Sequence, residues 1–292
     1  MRIIETGIRR LVTALLVMML AVAAAKAQDA GEKPLRPVAG MFTAEVGHAS
    51  VLDSYLTPIA YGGTAMRLGY EAQQATGFNP ERWTRQLDLG INYNYTHNPA
   101  GNHTMHALTI DARWGMMHRW RGVLTPGLQL MAGGSTQFTG GALYNANNSN
   151  NVASARVHWS LGFMGQAVLN TRIKRLPVTI RYQATLPVAG VFFSPEYDEA
   201  YYEIYLGNHR NLVHMGWWGN RFDMENFVAA DLHLGGTLLR VGYRNRIASS
   251  WVSNINCREV THCVVIGIGG EFLNVGRKQR AESSNIISSI YQ

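Results

Sequence analysis

Through much of this chain apolar and polar residues change places at every step. From Gln86 to His97, Leu87, Leu89, Ile91, Tyr93 and Tyr95 fall on one face, and Asp88, Gly90, Asn92, Asn94 and Thr96 on the other. A period of two is the mark of a half-buried β-strand. The same pattern sets Leu108, Ile110, Ala112, Trp114 and Met116 against Thr109, Asp111, Arg113 and Gly115. It recurs at Leu124–Gly133, with Pro126 inside it as a bulge or entry point. Further alternating segments centre on Arg156–Phe163, Val178–Ala184, Val228–Leu234, Leu239–Arg244 and Val264–Phe272. Met41–Ala49 and Thr64–Gln73 alternate as well, and Tyr201–Gly207 and Leu212–Trp218 are short apolar candidates. Together these segments predict twelve strands, with ten to fourteen compatible with boundaries that drift by a few residues.

The connections sort into two kinds. His118–Gly122, Asn170–Leu176 and Gly235–Thr237 read as short turns, the last a tight hairpin. Gly140–Asn151, Pro187–Ala200 and Asn254–His262 read as long loops on the opposite side. Pro187 and Gly190 break the strand before them. The segment Asn274–Gln292 does not alternate and reads as a mobile tail.

At the N-terminus, Arg2, Arg9 and Arg10 precede an uncharged run from Leu11 to Ala25, and Ala25-Lys26-Ala27 is a small-x-small site. This order predicts a secretory signal peptide over residues 1–27. Residues 28–40 then form a periplasmic segment, 41–273 the strand region and 274–292 a periplasmic tail. No second apolar run reaches the length of a spanning helix. An exported chain of alternating strands is then a membrane β-barrel or a soluble β-sandwich.

The polar face separates these two. It carries Gly, Thr, Asn, Gln, Arg and Asp and almost no Lys, whereas the water-facing side of a sandwich is usually rich in Lys and Glu. Only 15% of the chain is charged, against about 25% in ordinary soluble domains. The apolar face is unbroken by charge, as lipid contact demands. The fold expected is therefore an all-β, antiparallel transmembrane β-barrel of the outer membrane. Its lumen should hold the polar face, with Arg67, Arg113, Arg156, Arg181, Arg240, Arg244 and Arg246 facing Glu45, Glu71, Asp88, Asp111, Glu203, Asp231 and Glu271. Seven bases against seven acids predict paired charges and a narrow or filled lumen, because buried charge is tolerated only when paired or solvated. The first reading of its role is narrow solute passage or membrane structure, with outer-membrane lipid and a small solute as the partners.

Other chemistry is thin. The formal charge of +7 falls to +4 when residues 1–27, with four bases and Glu5, are removed, so nucleic-acid binding is not indicated. Cys257 and Cys263, the only cysteines, flank Arg258–His262 and predict a loop disulfide in an oxidising compartment, with two free thiols as the alternative. Together with His262 they make a poor zinc pattern, and no metal or cofactor is expected. His158 and Ser160 share a strand face, which leaves a lipid-modifying barrel enzyme as a second reading; a soluble secreted binding sandwich is a third.

The segment Leu176–Ile204 is unusually aromatic. Phe193-Ser194-Pro195-Glu196-Tyr197, followed by Tyr201-Tyr202-Glu203, resembles a motif region of an uncharacterised outer-membrane family, the domain of unknown function 3316, and Arg240-Val241-Gly242-Tyr243 extends the resemblance towards the C-terminus. The resemblance implies a membrane barrel and no known activity. From the residues themselves, Phe192, Phe193, Tyr197, Tyr201 and Tyr202 form either an aromatic lid over the lumen or an interface girdle.

Overall fold

In a computed structural model the described residues are 34–148, 151–196, 201–207, 211–273 and 286–291. They fall into two units. The smaller, Met1–Leu35 with Val275–Ile286, is described only at Pro34, Leu35 and Ile286, where an isolated parallel bridge joins Leu35 to Ile286. The signal peptide expected over residues 1–27 lies outside the described residues. No helix among the described residues is long and apolar enough to cross a membrane.

The larger unit, Arg36–Asn274 with Ile287–Gln292, is a barrel. Its strands are β1 (Val38–Asp53), β2 (Thr57–Ala75), β3 (Trp83–His97), β4 (Thr104–Arg121), β5 (Leu128–Tyr144), β6 (Ala153–Ile173), β7 (Leu176–Phe193), β8 (Val213–Trp217), β9 (Arg221–Leu234), β10 (Thr237–Val252) and β11 (Ile255–Phe272), with one short helix, α1 (Tyr201–Tyr205). All pairings are antiparallel. β1 pairs with β11, and β6 with β7, so ten strands close the ring and β8 stays outside it. Twelve strands were expected. Tyr201–Gly207 supplies α1 instead of a strand, and Leu212–Trp218 supplies β8, which pairs only with the last five residues of β7.

The expected loops shrink for one reason: backbone polar groups pair wherever a neighbour is in register. Gly140–Tyr144 continues β5, Pro187–Phe193 continues β7, and Ile255–His262 belongs to β11. The β10–β11 connection is a turn in which Ser253 and Asn254 both hold positive φ, as a two-residue hairpin turn requires. Conversely, Leu124–Gly127 lies before β5 and not within it.

Paired residues can be followed once around the ring, from Val178 through Leu232, Leu239, Ile268, Phe42, Tyr70, Leu89, Ala112, Phe138 and Trp159. The path returns to β7 at Val191, thirteen residues beyond its start. One of the thirteen is Val188, skipped where Leu161 faces Ala189 but Gly162 faces Pro187. Ten strands with that stagger, at the usual strand spacing and rise, give a tilt of about 40° and a backbone radius of roughly 10 Å. Two long side chains from opposite walls span such a lumen.

The burial is inside-out. Phe42, Leu68, Val241 and Ile266 point outward, each more than half exposed, and Arg181, Asp231 and Arg240 point inward with 1% exposure or less.

Candidate functional site

The lumen is stacked in layers. The turns β2–β3, β4–β5, β6–β7 and β9–β10 define its inner mouth, and the remaining connections its outer mouth.

The central layer holds four arginines and four carboxylates. Arg67 donates to Glu45 (3.2 Å), Asp88 (2.6 Å) and Asp111 (3.0 Å). Arg113 and Arg244 both donate to Glu225 Oε1, at 3.0 and 2.7 Å. Arg246 bridges Glu225 Oε2 (2.7 Å) and Asp111 Oδ1 (3.2 Å). Asn92 joins in, giving its amide to Asp111 at 2.6 Å and accepting from Arg246 at 3.0 Å. β4, carrying Arg113, and β9, carrying Glu225, stand on opposite walls with three strands between them on the shorter way round. The layer therefore crosses the lumen.

Backbone geometry makes room for it. The Arg67 guanidinium lies over Gly69 and Gly90, and a Cβ on either would collide with it. These glycines are the clearance that lets one arginine reach three carboxylates on three strands.

A second layer lies nearer the inner mouth. Arg181 makes a two-pronged contact with Glu71, its Nη2 at 2.7 Å from Oε2. Four strands separate β7 from β2 on either side, so this pair runs along a diameter. Arg240 grips Asp231 through Nε (2.6 Å) and Nη2 (2.8 Å) and reaches Glu71 at 3.4 Å. The Phe227 ring has Arg181, Arg240 and Arg244 over it, at 5.0, 5.7 and 4.2 Å from its centroid. Beside this layer Gln73 donates to Gln166 and Gln86 to Gln183, both at 3.1 Å, among Met117, Met131 and Met164.

Towards the outer mouth the filling is mixed. Tyr55 and Leu56 of the β1–β2 turn tuck in with Val51, Tyr61, Met105, Leu143 and Ile255. The Asn-rich β5–β6 connection reaches over them, Asn148 donating to the Leu56 carbonyl at 2.6 Å. Against this filling a cavity of about 150 Å³ remains. Arg156, His158, Thr185, Arg221, Asp223 and Glu259 line it, and Arg246 and Asp111 of the central layer floor it. Arg156 pairs with Asp53 at 3.1 Å and Arg221 with Asp223 at 2.7 Å. The hydroxyl of Thr185, which lines the cavity and is almost fully buried, makes no hydrogen bond.

Twelve of the fourteen charges expected in the lumen sit there. Two do not. Glu203 lies exposed on α1, outside the ring, because the strand expected there does not form. Glu271 lies exposed at the end of β11, where it accepts a hydrogen bond from the Ser288 hydroxyl. The pattern missed Glu225, which ties three arginines together, along with Asp53, Asp223 and Phe227. Alternation continued three residues upstream of Val228 and four beyond Ala49 would have found Phe227, Glu225 and Asp53.

Of the aromatic residues, Phe192 is buried and faces inward, 5.3 Å from the Arg221 guanidinium and 5.7 Å from the His214 ring. The β7 bulge at Val188 reverses the strand's facing and turns Phe192 in. Phe193 lines the cavity, Tyr202 is exposed, Tyr201 begins α1, and Tyr197 lies outside the described residues.

The disulfide is a correction. Cys257 and Cys263 are both free and lie on one strand, β11, six residues apart. That is roughly 20 Å of extended chain, far beyond the reach of an S–S bond. Cys257 instead donates to Asp53 at 3.4 Å. Among the described residues no cluster of His, Cys, Asp and Glu is arranged to hold a metal ion. His158 and Ser160 share the inner face of β6, but the Ser160 hydroxyl is buried without a hydrogen bond, so the base-to-nucleophile contact is missing.

The family described as "Protein of unknown function (DUF3316)" matches residues 12–279, almost the whole chain. The chain belongs to the DUF3316 family. Comparison of this DUF3316 protein with the curated proteins finds no match. Among solved structures, it is similar to the transport unit of the autotransporter AIDA-I from Escherichia coli, with a TM-score of 0.41 and 8% identity over 84% of this chain and 93% of that one. The translocator domain of the autotransporter NalP from Neisseria meningitidis follows with a TM-score of 0.33 and 12% identity, over 89% and 97%. An outer membrane channel from Pseudomonas putida F1 gives 0.32 and 10%, over 84% and 99%.

Proposed function

We propose that this DUF3316 protein is an outer-membrane β-barrel that holds a small polar solute in its outer cavity and, at rest, passes nothing freely. The membrane assignment rests on the outward band of Leu, Ile, Val and aromatic side chains, which carries no charge at mid-height and which water would not stabilise. With the band in lipid, the inner mouth, where β1 begins and β11 ends, faces the periplasm.

The observation that carries the rest is the diametral Arg181–Glu71 pair beneath the four-arginine layer. Charge is balanced within each layer, four against four and then two against two, so no one-signed path exists to favour an anion or a cation. A cavity of about 150 Å³ is below the usual ~300 Å³ of a drug-sized ligand site. It fits a solute of only a few heavy atoms, able both to donate and to accept hydrogen bonds.

Planar-bilayer recording tests this. The expected trace has no steady porin-sized steps, and Glu71→Gln, which leaves Arg181 and Arg240 short of a partner, introduces flickering openings. A stable ohmic conductance of the unaltered protein would overturn the closed-lumen reading.

A further inference from the structure

The inner mouth is not empty. Ile287–Tyr291 lies in it, with Ser289, Ile290 and Tyr291 at 0, 1 and 6% exposure. The sequence pattern predicts a mobile tail over Asn274–Gln292; residues 274–285 are outside the described residues, but Ile287–Tyr291 is packed. What holds it is a set of side chains aimed at its main chain. Arg119 of β4 donates through Nη1 to the carbonyls of Ser288 (2.8 Å) and Ser289 (2.9 Å). Gln129 of β5 and Asn170 of β6 both donate to the Ile290 carbonyl, at 3.1 and 3.0 Å. Three strands thus read three consecutive carbonyls. The remaining prongs of Arg119 are fixed on the carbonyls of Pro80 (2.6 Å) and Glu81 (2.9 Å), so the guanidinium is positioned by the barrel itself.

Side-chain pockets add selectivity. The Ser289 hydroxyl donates to the Gln73 carbonyl at 3.2 Å. Ile290 enters an apolar pocket with Met117, Met131, Met164 and Leu238. Tyr291 sets its ring edge-on to His233, 5.0 Å between centroids, and donates its hydroxyl to Asp231 at 2.9 Å. Asp231 belongs to the second ion-pair layer, so an occupant of this mouth touches the layer that seals the lumen.

Hydrogen bonds to the ligand's main chain for affinity and side-chain pockets for specificity are the design of a peptide-binding site. We propose that the inner mouth is such a site, specific for a bent segment in the order hydroxyl, aliphatic, tyrosine, and that its resident ligand is the chain's own Ser289-Ile290-Tyr291. A tethered ligand is present at roughly millimolar effective concentration, which keeps the site filled without making the filling permanent. The site stands independently of whether the barrel passes a solute, because its readout is binding and not conductance.

The test uses the full chain in detergent with Ile290→Asp, which expels the resident segment from its apolar pocket. Heat-modifiable gel migration confirms the barrel. The probe is a fluorescein-labelled peptide with the sequence of residues 287–292, followed by anisotropy. The expected result is saturable binding to Ile290→Asp, at least tenfold weaker apparent binding to the unaltered protein, and about a tenfold loss when the peptide's tyrosine is replaced by phenylalanine, the size expected for a hydrogen bond to a charged acceptor. No saturable binding to an intact Ile290→Asp barrel, equal binding to both proteins, or equal binding of the two peptides would each overturn the site. If Ile290→Asp prevents barrel formation, hydrogen exchange in full-length Tyr291→Phe decides. Amides of Ser289–Tyr291 should exchange at least tenfold faster than in the parent, and unchanged exchange overturns the proposal.

Discussion

Arg67 shows what one residue demands of its neighbours. It is 4% exposed and meets three carboxylates, and its guanidinium occupies the space that side chains on Gly69 and Gly90 would fill. A buried charge that loses its partners costs far more than a surface pair ever contributes. Gly90→Ala should displace Arg67 and leave Glu45, Asp88 and Asp111 short of a cation, destabilising the barrel by about 3 kcal/mol. Gly236→Ala is the matched control: it sits in the β9–β10 turn with nothing near its Cβ, and should change stability by less than ~0.5 kcal/mol. Urea unfolding midpoints in lipid vesicles compare the two, and equal midpoints would remove the glycines' role as clearance. Residues such as Arg67 and Asp88 were legible in the sequence as inward-facing. Their mutual contacts were not, because alternation fixes which face a side chain takes and says nothing of which strand stands opposite.

At the scale of elements, two strands carry the instructive departures. β11 runs unbroken from Ile255 to Phe272, taking in the cysteine-flanked stretch that composition alone marked as a loop. Its register with β1 places Cys257 opposite Asp53 and Cys263 opposite Gly47. Protein migrating on a gel with and without reductant should therefore show one position, and Cys257→Ser with Cys263→Ser should keep the heat-modifiable form. A reductant-dependent shift of monomeric protein would contradict the register of β11. β7 departs differently. Pro187 and Gly190 correctly signalled an irregularity, but the chain absorbs it as a bulge at Val188 and stays a strand. Along the same stretch β9 pairs with β7 only up to Thr185, β8 takes over at Ala189, and the Trp218 indole donates to the Pro187 carbonyl at 2.8 Å in the interval. Local sequence marked where the ladder changes; which strand inherits the pairing depended on residues 20 to 28 positions away.

For the whole molecule the governing fact is the inversion of inside and outside. Trp114 and Trp159 stand 45% and 43% exposed on the outer wall, flanked by Ile110 and Leu161. In vesicles of mid-chain brominated phosphatidylcholine their emission should be quenched. Trp114→Phe should shrink the quenchable fraction, and quenching unaffected by that change would place this face outside the bilayer. Inside, the radius of roughly 10 Å set by strand number and stagger is what lets lumen charges on opposite walls pair. A wider ring with the same residues would leave water between them.

By itself the sequence determined the all-β class, the facing of most strand residues and the charge balance of the inner wall, because a period of two is a local property that each strand states alone. The tertiary structure decided the ten-strand closure, the pairs that cross the lumen, the separation of the two thiols and the seating of Ile287–Tyr291. Each of these depends on stagger and ring size, which arise only when distant strands hydrogen-bond, and no local pattern encodes a distance across the barrel.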